Sequence, residues 1–323
     1  MTLSTWPRAV FRIFLAVPLL AAVCLSYVPP AVAATPVDVL NGVLRLQAQV
    51  EALRVKLGKP ANTLPDLPVT GASPREVMFQ AERVQDKILL VIRERTGRKP
   101  LPLVFIPEGT VKPEHSLRVL THTEKMLGDA LQSLGVTPGA ASTATQANPS
   151  VVYTAITNLG RQINLLIEDK LTPSDVYQQV ERSVVRVRAL LAVRAPGTAP
   201  GTPSSLDLSR KPGDVYRKLG SVFPDVRALL GEVGIPCMEL APGFEEQVAP
   251  QATPSDVYDL ASLILTEVNA LFFALPQRPL IPGVFYPGPK KPGHVYQMAE
   301  QLGQELARLR QASAARAVTP STP

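Results

Sequence analysis

Apolar residues recur along this chain at steps of three and four, in eight stretches that are each long enough for a helix of several turns. In each stretch one row of mostly apolar side chains falls every seven residues, and a second row follows at alternating steps of three and four. The stretch that begins at Pro212 shows the second row as Tyr216, Leu219, Phe223, Val226 and Leu230. This spacing places a wide apolar stripe on one face of an α-helix. The chain is therefore predicted to be all-α, built from tandem helical repeats.

Each stretch opens on the same short phrase, which is a start signal for a helix. The eight copies are TPVDVL at Thr35, SPREVM at Ser73, KPEHSL at Lys112, NPSVVY at Asn148, TPSDVY at Thr172, KPGDVY at Lys211, TPSDVY at Thr253 and KPGHVY at Lys291. Thr172 suits the N-cap, Pro173 has no N–H to leave unpaired at N1, and Asp175 at N3 completes a capping box. The copies that open on Lys have poorer caps, and His115 and His294 replace the acid. The phrase predicts eight amphipathic helices, over residues 36–57, 74–96, 113–134, 149–169, 173–194, 212–233, 254–275 and 292–312.

Most connections between these helices are long and rich in proline, and we call them straps. Thirteen residues in the polyproline II conformation span about 40 Å, whereas a helix of this length spans about 33 Å. Straps of this length allow successive helices to lie parallel. Apolar residues within Leu101–Ile106 and Leu280–Tyr286 predict that these two straps dock on the helices. The composition of Ala195–Gly201 instead predicts a flexible linker. The short connection between helices 4 and 5 predicts an antiparallel hairpin or a corner.

Two straps resemble each other, which indicates duplication of a larger unit. The sequence from Arg98 to Pro107, RKPLPLVFIP, resembles RPLIPGVFYP from Arg278 to Pro287, and each leads into a copy that opens on Lys-Pro. We therefore predict repeats 1–4 over residues 34–170, repeats 5–8 over 171–312 and a disordered tail over 313–323, with the repeats forming two helical-bundle lobes. The repeat period is near that of tetratricopeptide and HEAT arrays, but their signature residues are missing.

The first 33 residues have the pattern of a cleavable signal peptide. Arg8 and Arg12 precede a short apolar run, and Ala31-Val32-Ala33 forms an A-x-A cleavage site, so the predicted cut follows Ala33. An uncleaved anchor is the competing interpretation, although Pro18 interrupts a run that is short for a membrane span. Cys24 makes a lipoprotein signal a further alternative. The residue before it, Val23, is too bulky for that type of processing, so this alternative is disfavoured. The chain is expected to be periplasmic or secreted, with no stable membrane span after cleavage.

Charge and cysteine usage exclude several function classes. Without residues 1–33 the chain has 31 Lys and Arg against 27 acids, a net charge of +4, which is mild for a nucleic-acid-binding protein. Arg98 and its basic neighbours are interpreted as a solvated helix end. Cys237 would be the one cysteine left, so no internal disulfide holds the fold. Its apolar sequence neighbours predict a buried, inert thiol.

Candidate catalytic chemistry is sparse. The sequence has no nucleophile elbow, zinc-protease, P-loop, dinucleotide or haem-attachment motif, so we predict no catalytic, cofactor-binding or metal-ligating residues. His115 and His122 lie seven residues apart, too far for one ion. The residues that could face a ligand or partner are His115, His294 and the tyrosines at the same repeat position, namely Tyr153, Tyr177, Tyr216, Tyr258 and Tyr296. The alternative for these tyrosines is core packing with a bonded hydroxyl.

Three functions remain open at the level of sequence. The first is a non-enzymatic scaffold or protein-interaction module of the envelope, whose partner is another envelope or secreted protein, because repeat arrays present long surfaces. The second is a periplasmic binding protein that holds a small apolar or amphipathic ligand between helices. The third is an enzyme of unfamiliar type, which a cleft gathering His115, His294 and carboxylates would favour.

Overall fold

The computed structural model describes residues 33–104, 107, 109–197, 199, 201–274, 279–285 and 288–318. The predicted signal segment, apart from Ala33, lies outside these residues, and Thr35–Pro323 forms one compact unit. Nearly all regular structure in the described part is helical, which confirms the all-α class. The elements are α1 Pro36–Lys56, β1 Val69–Thr70, α2 Pro74–Thr96, α3 Pro113–Ser133, α4 Pro149–Leu166, α5 Pro173–Arg194, α6 Pro212–Glu232, β2 Glu239–Leu240, α7 Phe244–Val248, a 3₁₀ turn Ala249–Gln251, α8 Pro254–Phe273 and α9 Pro292–Val318.

Every long helix begins at the proline of its repeat phrase, as predicted. In α1 the N–H and hydroxyl of Thr35 both donate to the Asp38 carboxylate at 2.7 Å, and Thr35 Oγ1 accepts the Asp38 N–H in return. Where histidine replaces the acid, its Nδ1 takes the same role and accepts the N–H of the preceding lysine, Lys112 or Lys291. The histidine copies thus retain the side-chain half of the capping box.

The long helices pack in two groups of four. In the first bundle α1 and α2 each contact both α3 and α4, and in the second bundle α5 and α6 each contact both α8 and α9. In each bundle the N1 prolines and the N4 side chains of all four helices surround a single space of about 10 Å³. All four helices of a bundle therefore start at the same end and run parallel. N3 acids such as Asp38 and Asp256 lie where four positive dipole ends converge.

The straps make the parallel arrangement possible by returning the chain along a helix. In the strap over residues 57–73, the Asn62 N–H donates to Gln162 Oε1 near the C-terminal end of α4, and the Ala72 N–H donates to Ser150 Oγ near its N-terminal end. This strap therefore runs antiparallel to α4. Its length matches the helix because it must carry the chain from the end of α1 back to the start of α2.

The strap over residues 195–211 docks in the same way on α9, which contradicts the expected flexible linker. The N–H of Gly201 donates to the buried Glu305 at 3.1 Å, and Arg308 donates to the carbonyl of Ala199. Further along, Gln297 donates to the carbonyl of Ser204. A composition rich in Gly, Ala and Pro indicated flexibility, but it also supplies open backbone groups that the polar side of α9 binds.

Small residues at N2 mark helix starts over which a strap passes. A Cβ built on Gly213 would lie 2.2 Å from the carbonyl oxygen of Ala249, and one built on Gly293 would lie 2.0 Å from that of Asp207. Glycine is required there because the strap backbone occupies the space of a side chain. The copies with glycine at N2, which begin at Lys211 and Lys291, therefore differ from the serine copies at Thr172 and Thr253 because of a tertiary contact with a strap.

The two bundles lie antiparallel to one another and share a small sheet. Arg75, in the first turn of α2, bonds Glu267 near the end of α8, whereas Lys87 further along α2 bonds Asp259 near the start of α8. The straps over residues 57–73 and 233–253 pair as β1 and β2, with Val69 opposite Leu240. Sequence reasoning missed this two-residue pairing, which is too short to produce an alternating pattern.

The connection between α4 and α5, which was predicted to form a hairpin or a corner, does not form the hairpin, and α9 is longer than predicted. Helices α4 and α5 do not pack along each other as a hairpin, since their contacts go to other members of separate bundles. Helix α9 continues to Val318, so the first part of the predicted C-terminal tail is helical, and residues 319–323 lie outside the described part.

Candidate interaction sites

Two of the predicted tyrosines are core residues that line a small cavity at the junction of the bundles. Tyr153 of α4 and Tyr216 of α6 are buried, and Arg161 hydrogen-bonds Tyr216. Burial raises the pKa of both phenols. The cavity that they line, together with Asp256 and other residues, has a volume of about 30 Å³. That space suits a water molecule rather than an organic ligand.

The other three tyrosines are half-buried, and each ring lies beneath a cation. Arg83 lies 5.0 Å from the ring centre of Tyr258, Lys290 lies 4.8 Å from that of Tyr177, and Arg210 lies 4.2 Å from that of Tyr296. The hydroxyl of Tyr258 also accepts a hydrogen bond from Gln179. The structure thus places the five tyrosines in several local contacts rather than in one row.

The histidines occupy positions that serve local structure. His115 and His294 bond the backbone at the starts of α3 and α9, which belong to different bundles. His122 Nε2 lies 3.3 Å from the carbonyl oxygen of Leu101, where the strap after α2 crosses α3. This arrangement does not gather His115 and His294 at one cleft with carboxylates.

A buried ionic cluster joins the bundles, and no motif or periodicity in the sequence predicted it. The two carboxylate oxygens of Glu76 accept different backbone N–H groups, from Ser73 at 2.5 Å within the α2 cap and from Met238 at 2.8 Å in a strap of the second bundle. Arg75 Nη2 lies 2.8 Å from Glu267 and 3.0 Å from the carbonyl oxygen of Pro236. The capping box of α2 therefore also joins the two bundles.

This cluster changes the setting of the single described cysteine. Cys237 lies beside Glu76 and Glu267, and burial followed by the Glu267 charge raises the pKa of its thiol. Burial also raises the pKa of Glu267, against the opposing effect of Arg75. The thiol is half-buried among charged groups, although its apolar sequence neighbours predicted a purely apolar environment. The raised pKa agrees with the predicted low reactivity.

The same three side chains meet the distance requirement for a metal site, but their chemistry fits a salt bridge better. One donor atom from each of Glu76, Cys237 and Glu267 lies within 4.8 Å of the others. Both Glu76 oxygens already accept backbone N–H groups, and the guanidinium of Arg75 supplies the positive charge. We therefore assign this cluster a structural role.

An open groove lies between α1 and α4. It consists of two open cavities of about 500 and 650 Å³ that share Gln47, Asp66 and Asn158. The straps over residues 57–73 and 134–148 form its walls. Its polar lining is mostly amides and hydroxyls, with Glu51 and Asp66 as the acids and no Lys or Arg among the lining residues. We call it the α1/α4 groove.

One wall of this groove carries an open strand edge. The Ala241 N–H donates to the Pro68 carbonyl across the β1–β2 pair, and Val69 is the neighbouring residue along β1. Because backbone groups alternate between the two edges of an antiparallel strand, the N–H and C=O of Val69 point away from β2. Val69 also lines the larger cavity, although the residue as a whole is only 8% exposed. The groove thus offers an extended backbone that lacks a partner strand on this side.

The two related straps dock only in part. Leu103, Ile281 and Val284 are half-buried, as predicted for docked segments. Leu101, Val104, Leu280 and Phe285 are instead strongly exposed, which corrects the expectation that the apolar residues of these straps pack on the helices. Phe105, Ile106 and Tyr286 belong to the predicted docked segments but lie outside the described residues.

Comparison with known proteins adds no family assignment, because no family model, curated protein or solved structure matches this chain. Among the residues that the structure describes, no helix is both long enough and apolar enough to cross a bilayer.

Proposed function

We propose that this protein is an exported, non-enzymatic scaffold or protein-interaction module of the cell envelope, and that the α1/α4 groove binds an extended segment of another envelope or secreted protein. The observation that carries the proposal is the groove itself, which combines open cavities of about 500 and 650 Å³ with a strand edge at Val69 that pairs with no second strand in the described part of the chain. Export rests on the signal-peptide pattern of residues 1–33.

The dimensions of the groove fit a short extended peptide. Its lining on α4 runs from Ser150 to Gln162, which at 1.5 Å per residue is about 18 Å. An extended chain advances about 3.3 Å per residue, so five or six residues fill the groove. Backbone pairing with Val69 would supply affinity by β-strand addition, and the exposed amide of Gln47 suits other peptide groups.

The charge of the groove favours a particular kind of segment. Glu51 is already paired with Arg54 at 2.7 Å, whereas Asp66 lines both cavities and no Lys or Arg is among the lining residues. Asp66 accepts a hydrogen bond from Asn158 at 2.6 Å, which holds the carboxylate in place on the groove wall. We therefore propose a segment that carries at least one Lys or Arg, since an acidic segment would meet like charge.

The alternative proposal, a small apolar or amphipathic ligand held between helices, has less support. Its most natural site is the tyrosine-lined cavity between the bundles, which has about 30 Å³. Small-molecule sites usually have about 300–1,000 Å³. The groove has the volume, but its lining combines amides, hydroxyls and carboxylates with side chains such as Leu44 and Val151. A purely apolar molecule would desolvate those polar groups without pairing them.

Site-specific photo-crosslinking in the native envelope tests the peptide proposal. A photoreactive side chain at Gln47, an exposed residue of the groove, is expected to capture an extended segment of one partner, whereas the same group at the exposed Lys125 of α3 is not. Ala155→Arg, which adds bulk and positive charge inside the groove, is expected to abolish capture at Gln47. Capture that survives Ala155→Arg, or that occurs equally at Lys125, contradicts the proposal.

A purified complex allows a second readout at the backbone. Binding of the captured segment is expected to slow hydrogen exchange at the amide of Val69, which faces the groove. The amide of Thr70 is the internal control, because it already pairs with β2. Protection elsewhere with none at Val69 would place the partner outside the strand edge. Recovery of a stoichiometric small molecule instead of a peptide would favour the alternative.

A further inference from the structure

Four apolar side chains stand out because the related straps present them to solvent. Leu101 is 81% exposed and Val104 is 78% exposed in the strap after α2, while Leu280 is 99% exposed and Phe285 is 84% exposed in the strap after α8. These are the highest exposures among the large apolar side chains that the structure describes as exposed. The same pattern thus occurs once in each bundle.

This exposure is not a general property of the straps. In the straps over residues 57–73 and 233–253, the apolar side chains Leu67, Met238, Leu240 and Phe244 are buried. The two related straps are also held in place, since the Leu101 carbonyl lies against His122 and the Gly288 carbonyl accepts a hydrogen bond from Ser174. Their outward side chains therefore lie on an anchored backbone.

By sequence the same two straps, over residues 97–112 and 274–291, carry more net positive charge than the other straps. By sequence each contains three Lys or Arg, and together they contain one acid, Glu108. The strap over residues 233–253 contains three acids and no Lys or Arg. Arg98 and Lys99 are exposed and lie two or three residues from Leu101, so charge and apolar surface are adjacent. Lys290 and Lys291 follow Phe285 by five and six residues, and Lys291 is exposed.

We propose that these two straps attach the protein to the anionic surface of a lipid bilayer, with Leu101, Val104, Leu280 and Phe285 entering the interface. Apolar side chains flanked by cations fit this partner because the side chains enter the boundary of the acyl region while Lys and Arg attract anionic headgroups. Two separate attachment points are needed because a single weak apolar anchor binds only reversibly. This attachment is peripheral and requires no membrane-spanning helix.

The absence of tryptophan beyond Trp6 provides a direct probe. The chain from Ala34 onward contains the whole compact unit from Thr35, and Phe285→Trp introduces a single indole at the proposed interface. Its fluorescence is expected to shift to the blue on addition of vesicles of phosphatidylcholine with phosphatidylglycerol. Val55→Trp, at another exposed apolar position, is the control and should not shift. No shift at Phe285, or equal shifts at both positions, overturns the proposal.

Vesicle co-sedimentation measures the two contributions separately. The protein is expected to bind vesicles with phosphatidylglycerol about tenfold or more tightly than pure phosphatidylcholine, as expected if two or more basic residues contact the surface. The pair Leu101→Ser and Leu280→Ser, and separately the pair Arg98→Glu and Lys99→Glu, should each lower binding by about tenfold or more. Val55→Ser with Leu206→Ser is the matched apolar control and should bind like the unsubstituted chain.

Several outcomes would count against the bilayer as partner. Binding that is unchanged by the serine pair identifies nonspecific electrostatic adsorption and overturns the insertion of these side chains. Failure to sediment with either vesicle, while the straps crosslink to a protein, assigns them to a protein partner. Circular dichroism checks that each variant keeps its helices. Ala155→Arg should leave vesicle binding intact, so this proposal and the groove proposal fail independently.

Discussion

At the scale of single residues, Glu82 on α2 carries a charge in an unfavourable place. Burial first, and then the nearby Asp86, raises the pKa of Glu82 from its ordinary 4.5 to about 6. The folded state therefore holds this proton more strongly than the unfolded chain does. The contribution of Glu82 to stability is consequently largest below pH 4.5 and is lost as the pH rises towards 6.

We predict that Glu82→Gln removes this loss and raises the free energy of unfolding at pH 7. The expected gain is about 1 kcal/mol, because partial solvent exposure screens part of the effect of the shift. Urea unfolding measured between pH 4 and 7 checks it. Glu232→Gln, at an exposed position near the end of α6, is the control. A variant whose pH profile parallels that of the unsubstituted protein would show that Glu82 is adequately solvated.

The glycine at N2 of α6 is a second residue-scale test. Gly213→Ala places a Cβ against the Ala249 carbonyl and should destabilise the protein by about 1–3 kcal/mol, as overpacking does. Gly231→Ala in the same helix meets no atom within 4 Å and should stabilise it by about 0.5–1 kcal/mol through helix propensity. Thermal unfolding measures whether each substitution raises or lowers the stability of the protein. Equal effects would mean that the strap shifts freely over the helix start.

At the scale of elements, strap docking depends on a few side chains that bind backbone. Asn41 of α1 accepts the Ala144 N–H at 2.8 Å and donates to the Ala144 carbonyl at 3.2 Å. Asn41→Ala should cost about 1–2 kcal/mol and speed proteolytic cleavage within residues 134–148. Gln47→Ala, on the same helix at the groove, is the control for both readouts. Unchanged cleavage would show that packing alone holds this strap.

At the scale of the whole molecule, a buried ion pair couples the two bundles. Lys87 Nζ lies 2.6 Å from Asp259, and the Lys87 side chain is 5% exposed. Lys87→Met should cost about 3 kcal/mol because Asp259 loses its cation, and adding Asp259→Leu should recover much of that loss. Lys125→Met breaks an exposed pair with Asp129 and should cost well under 1 kcal/mol. Denaturant midpoints compare the three variants.

A result in which Lys87→Met and Lys125→Met cost the same would remove the ion pair as a coupling element. Separation of the unfolding curve into two transitions in Lys87→Met would show that the bundles are individually stable. Both outcomes concern the junction, where the buried apolar residues of the two bundles belong to one continuous cluster.

The sequence alone determined the helices and their starts, because capping and amphipathic periodicity act within a few residues. Each long helix begins at its phrase proline, and side chains such as Leu46 and Leu229, which the periodicity placed on the apolar stripe, are buried. The length of the straps likewise indicated, from sequence alone, that successive helices can lie parallel. Local signals were sufficient for these features because their energies are local.

Only the tertiary structure decided which helices are neighbours and what the straps touch. The double role of Glu76, the charged surroundings of Cys237, the open edge of Val69 and the groove all join residues that lie far apart in sequence. Sequence periodicity does not predict these contacts, since they depend on how the two bundles dock. The same docking made Ala195–Gly201 an ordered strap in its described residues, because Glu305 and Arg308 bind backbone that composition alone left free.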